Sequence, residues 1–173
     1  MAKAKTLEDA IDEVLKDYNK ALEEAIKYAS DIAVKDIYAE SMSCLDEYYD
    51  NYDPTSYNRT DNLWRAIVPY LQIKNTKNSI KGTVGVEYDS SVLNMYHGSE
   101  KYNPTDGDWV LENYLKGIHP ATNGGTTTET TFYYENIDAV SPEQKMQSFL
   151  NEYYNTFNGN VFMYFVSEVG KKL

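Results

Sequence analysis

The sequence predicts an α+β fold in one domain: a long N-terminal helix, a small antiparallel β-sheet with an inserted short helix, and a C-terminal helical segment. Three observations predict it. Apolar residues recur at steps of three and four up to about Leu45, alternating β-branched stretches follow Ile67, and Ser141-Pro142-Glu143 opens a final apolar-faced segment. A chain of 173 residues fits a single domain, since domains commonly hold ~100 to 150 residues. The expected divisions are residues 1–50 for the helix, 56–140 for the sheet with its inserted loop and helix, and 141–173 for the last segment.

The first helix follows from Leu7, Ile11, Val14, Leu15, Tyr18 and Leu22, whose spacing continues to Ile37 with charged residues on the opposite face. Thr6 is placed to cap it and Asp9 to return the bond, and no proline or glycine interrupts it before Pro54. Such a helix is expected to outrun the body it packs on. Tyr18, Tyr28, Tyr38 and Tyr48 recur every ten residues, a step of about 280° around a helix, so they do not line one face. The acidic stretch CLDEYYDNYDPTSY ends the helix as an exposed loop, because Asp and Asn favour turns and Pro54 blocks continuation.

VPYLQIKN and SIKGTVGVEYDSS read as two antiparallel strands around a polar break at Asn75 to Asn78. YHGSEKYNPTDG is a surface loop, and DWVLENYLKG a short helix capped by Asp108 and closed by Gly117. ATNGGTTTETTFYYENI, with its glycine turn and alternating threonines and aromatics, is expected to return beside the hairpin as a third strand. From Ser141 a helix carries Met146, Phe149, Leu150 and Tyr153 as far as Asn158-Gly159-Asn160, and VFMYFVSEVGKKL closes the chain as a buried helix or a β-branched aromatic strand, which periodicity over so few residues does not separate, with helix the preferred reading.

The 27 acidic residues outnumber 16 basic ones, and a net charge of -11 opposes non-specific attachment to nucleic acid or an anionic membrane. The single Cys44 cannot form an intramolecular disulfide and has no Cys/His partners at zinc spacing, which fits a reducing compartment. No stretch has the apolar core of a signal peptide or the ~20 apolar residues that span a bilayer, so the chain is expected in the cytoplasm when made. Seventeen tyrosines suit either a half-buried core or surfaces that become buried on assembly.

Catalytic chemistry finds little footing. His97 and His119 lie in expected loops, where Glu100 or Asp106 would have to complete any metal site, and HExxH, CxxC, GxSxG and phosphate-binding glycine loops are missing from the sequence. Asp106, Asp108 and Glu112 stand close together, but carboxylates are abundant here and a helix N-terminus favours them anyway. No enzyme activity, cofactor or metal is expected.

The landmarks taken in order are the long helix, an Arg-Thr-x-x-Leu-x-x-x-Ile segment, a hairpin, Tyr96-His97-Gly98, Gly107-Asp108-Trp109-Val110 and Gly117-Ile118-His119-Pro120. This order resembles tailed-bacteriophage neck proteins of the tail-completion or head-tail joining type, over roughly residues 7 to 160. Thr60, Leu63 and Ile67 match the family's turn into its first strand, whereas Asp61 stands where glycine is usual and Ala66 where serine is common. Gly117-Ile118-His119 takes the place of the family's Gly-x-His turn.

The resemblance implies a structural subunit of the virion, made in the host bacterial cytoplasm. It would form a ring of six or twelve copies between portal or adaptor and tail-tube proteins, with DNA passing through the lumen unbound.

The sequence holds only two arginines, both in SYNRTDNLWRAI. Here Thr60 is expected to cap a short helical turn, Leu63 and Ile67 to point inward beside Trp64, and Arg59 and Arg65 to hold acidic partners bidentately. Tyr96, His97, Tyr102, Trp109 and His119 form the candidate loop surface. The rival reading is a carbohydrate- or protein-binding module in which surface tyrosines and Trp109 stack on sugar rings.

Overall fold

A computed structural model describes residues 6–50, 62–76, 79–93, 107–117, 119–120, 131–132 and 140–171. Helix α1 spans Leu7–Asp50, α2 Asn62–Ala66, strand β1 Ile67–Thr76, strand β2 Ser79–Tyr88, α3 Gly107–Leu115 and α4 Pro142–Gly170. A 3-10 turn at Ser90–Leu93 follows β2, and the short strands β3, His119–Pro120, and β4, Thr131–Phe132, complete the order. The architecture is α+β, with a long first helix, an antiparallel hairpin and a long last helix.

A reciprocal bond at its first turn starts α1: the Asp9 amide donates to Thr6 Oγ1 at 3.1 Å, and the Thr6 amide donates to the Asp9 carboxylate at 3.0 Å. Those bonds hold the Asp9 carboxyl below its ordinary range. Along α1, Ala21, Ala25, Ala29, Ala33, Ile37 and Ser41 form the buried stripe. Alanine at every fourth position lets two other elements approach closely, the hairpin on one side and α4 on the other.

The hairpin pairs Ile67 with Tyr88 and Thr76 with Ser79, and its two faces differ as the alternation dictates. Ile67, Leu71, Ile73, Val84 and Val86 share the face with Gly82, which lies against Ser30 and Ile26 of α1; Gln72, Lys74, Lys81 and Thr83 share the other. Helix α4 runs antiparallel to α1. Lys145 pairs with Glu47, Tyr153 donates to Asp36 at 2.5 Å, Tyr164 stacks on Tyr28, and Phe165 meets Tyr18 edge-on.

Three features differ from the sequence expectation. The helix ends at Asp50, as its expected division does, but the acidic stretch is not an exposed loop from its start: Cys44 and Leu45 are buried in α1, and Tyr48 and Tyr49 half-buried. Their packing on the hairpin and α3 outweighs the turn preference of the nearby aspartates.

Among the described residues, the expected third strand does not join the hairpin either. Thr131–Phe132 pair with His119–Pro120 as a separate two-stranded ladder. That closure spans few residues and costs less chain entropy than a return to residues 67–88.

Finally, α4 passes through Asn158-Gly159-Asn160 without a break. Its start carries the expected cap, with Ser141 accepting from the Gln144 amide and Gln144 returning the bond. The tyrosines and phenylalanines lying on α1 from both sides of the glycine supply the packing that offsets its weak helix propensity.

Candidate functional site

Two features of the fold bear on function: an aromatic corner at the C-terminal end of α1, and uncovered apolar helix faces at its other end. The corner is built where α2 turns the chain into β1. Leu63, Ala66 and Ile67 are buried with Leu45, Leu93, Leu111 and Tyr114, so α1, α2, β1, the 3-10 turn and α3 meet in one cluster.

Trp64 stands at the rim of that cluster. Its ring stacks on Tyr49 with centroids 4.4 Å apart, and its indole N–H donates to Asp46 at 3.0 Å. Tyr114 meets Tyr48 edge-on at 5.2 Å and Tyr88 at 6.3 Å. Tyrosine therefore serves here largely as a packing residue, one ring on the next.

Of the residues singled out in the sequence, Leu63 and Ile67 point inward, and Trp64 is half-buried. Arg65 is exposed at the end of α2 and forms no ion pair with a described residue. Trp109 belongs to α3, and His119 to β3 opposite Phe132. Arg59, Thr60, Tyr96, His97 and Tyr102 lie outside the described residues, as does the expected bidentate role of Arg59.

Cys44 is buried near this corner. Its thiol is pushed up, first by burial and then by the Glu40 charge, which leaves it a poor nucleophile at neutral pH. Among the described residues no group of three His, Cys, Asp or Glu side chains is arranged to hold a metal, and no helix is long and apolar enough to cross a membrane.

The Tyr114 hydroxyl is buried with no hydrogen-bond partner among the described residues, and burial drives its ionisation far upward. Removing that hydroxyl removes an unpaid desolvation cost. Tyr114→Phe is expected to leave stability unchanged or raise it by up to ~1 kcal/mol in urea unfolding. A loss larger than that would reveal a bond the hydroxyl makes.

At the other end of α1 every residue from Thr6 to Lys20 is exposed, although Leu7, Ile11, Val14, Leu15 and Tyr18 form one apolar stripe. Leu7 is 78% and Val14 68% accessible. Among the described residues the hairpin reaches Glu23, where Asn75 donates to its carboxylate, and on α4 Phe165, five residues before that helix ends at Gly170, meets Tyr18. The first turns of α1 thus project beyond both elements. On α4, Phe162 and Met163 are 64% and 68% accessible on the side turned away from α1.

Sequence reasoning anticipated the overhanging helix but not the bare face of α4. A signal for that face was present: from Tyr153 to Ser167 the chain carries no charged residue, in a protein that is 25% charged. Comparison with protein-family models, curated proteins and solved structures found no match.

Proposed function

We propose that this chain is a non-catalytic structural subunit that assembles as a ring at the head-tail junction of a tailed bacteriophage, between portal or adaptor and tail-tube proteins. The observation that carries the assembly half of this reading is the bare apolar stripe from Leu7 to Tyr18. An isolated helix of that length is marginal in water, and a stripe that the described residues cover only at Tyr18, through Phe165, calls for cover from another molecule. The placement in a phage neck rests on the order of sequence landmarks, from the long helix to Gly117-Ile118-His119-Pro120.

Charge fits the role. A net charge of -11 gives the subunit the sign of DNA, so a lumen lined by its carboxylates repels phosphates and lets the genome slide. The free protein is a monomer or weak oligomer that becomes ordered in the ring.

Imaging of purified particles with an antibody to this chain tests the reading. Label is expected at the head-tail junction, and a protein absent from purified particles would end it. An assembled ring with a neutral or basic inner wall would defeat the lubrication idea alone.

A further inference from the structure

The geometry points to a head-to-tail contact in which the overhanging first turns of α1 dock on the outer face of α4 in the next copy. This inference rests on the ring reading and names the surfaces that would build it. Leu7, Ile11, Val14, Leu15 and Tyr18 fall within about 100° of helix circumference, and the stripe is about 17 Å long at 1.5 Å per residue. The α4 face of Asn155, Gly159, Phe162, Met163 and Val166, again within about 100° of circumference, is about 17 Å long by the same rise. The two bare faces match in length.

Charge decides which face pairs with which. From Glu8 to Asp17 the overhang carries five carboxylates against Lys16, so two overhangs laid side by side repel. The seat on α4 carries no charge from Tyr153 to Ser167, and beyond it Lys171 is already paired with Glu168 of the same helix, so the seat does not repel an acidic incoming helix. A centre depleted of charge and enriched in aromatics and methionine is what interface cores select. Together the faces offer on the order of 1,000 Å², the size a specific interface needs.

The chain's own overhang cannot reach that seat. Helix α1 is continuous from Leu7 to Asp50, and its body is already held against the opposite face of α4 through Tyr28, Asp36 and Glu47. The contact must come from a second molecule. Because it joins two different surfaces, its repetition generates a closed ring when the rotation permits.

Gly159 supplies an independent observation. A Cβ built there meets nothing within 4 Å, so packing inside the subunit does not require glycine, although glycine in a helix interior costs ~1 kcal/mol relative to alanine. At the centre of a docking seat the missing side chain lets another helix backbone approach closely.

The test uses full-length protein at high concentration. Chains carrying Ile11→Cys are mixed with chains carrying Phe162→Cys and treated with a short bis-maleimide, while buried Cys44 stays out of reach. Crosslinked pairs joining the two variants are expected several-fold in excess over pairs of either variant alone. Adding Gly159→Trp to the Phe162→Cys chain should abolish the product while the circular dichroism spectrum keeps its helical signal.

No product, or equal amounts of all three pairs, overturns the inference. Oligomers of the wild-type chain captured by lysine crosslinking, without the Ile11–Phe162 product, also overturn it by placing assembly on another face, and leave the ring reading standing. The cysteine product from a protein absent from particles does the reverse: the contact holds and the neck assignment falls.

Discussion

Leu45→Ala is expected to cost about 3–5 kcal/mol, the upper range for a leucine deleted from a full core, out of a total stability of roughly 5–15 kcal/mol. Leu45 has no accessible surface and sits where the last turns of α1 meet Leu63, Ile67, Leu93, Leu111 and Tyr114. The site is poorly able to collapse around a void, because aromatic rings wall it and are themselves braced: Tyr48 against Tyr114, Tyr49 against Trp64. Urea unfolding should show a lower midpoint at unchanged slope, the mark of lost stability rather than a changed denatured state.

Leu15→Ala is the control, with the same atoms removed from the overhang. There Leu15 keeps 53% of its surface exposed, and the expected change is about 0.5 kcal/mol or less. Similar losses at both positions would mean that the first turns of α1 are covered within the monomer, and would remove the basis for reading them as an assembly surface.

That contrast also marks how far the sequence could be read. The first helix was legible because Leu7, Ile11, Val14 and Tyr18 repeat at helical spacing, and a periodic stripe shows equally whether its cover comes from the same chain or another. Its overhang was legible only as excess length. The hairpin was legible because alternation from Leu71 to Val86 matches one apolar and one polar face, and the structure places those faces accordingly.

The extent of α4 was not legible. Asn158-Gly159-Asn160 has the composition of a helix end, and only packing of Tyr153, Tyr164 and Phe165 on α1, a tertiary fact, carries the helix across it. Pairing of β4 with β3 was hidden for a similar reason: Thr131 and Phe132 carry strand propensity, but propensity names no partner. At the corner, Leu63 and Ile67 were legible as inward residues from their spacing. Trp64 was not legible as the partner of Asp46 and Tyr49, which lie in another element.

Gly82→Ala should destabilise the protein by about 1–3 kcal/mol, the usual penalty for overpacking, and Ser30→Ala should remove most of that penalty. An added Cβ at Gly82 would lie 2.7 Å from Ser30 Oγ, closer than such atoms approach, while Ile26 Cγ2 at 3.5 Å is in ordinary contact. The hairpin would have to lift from α1, or Ser30 would have to turn. Turning is blocked by the residue's complete burial in the alanine stripe.

Ser30→Ala alone is expected to be neutral or mildly stabilising, because its hydroxyl is buried without a hydrogen-bond partner among the described residues. In that background the new methyl of Gly82→Ala meets only Ser30's Cβ position at 3.9 Å and Ile26, and alanine also recovers part of the ~0.5–1 kcal/mol that glycine costs inside a strand. The four proteins of the cycle, compared by urea unfolding, should therefore show a coupling of at least ~0.5 kcal/mol in favour of the double variant. Strict additivity would mean that the hairpin does not rest on α1 through Gly82 and Ser30, and that the close approach allowed by the alanine stripe is not what seats the sheet.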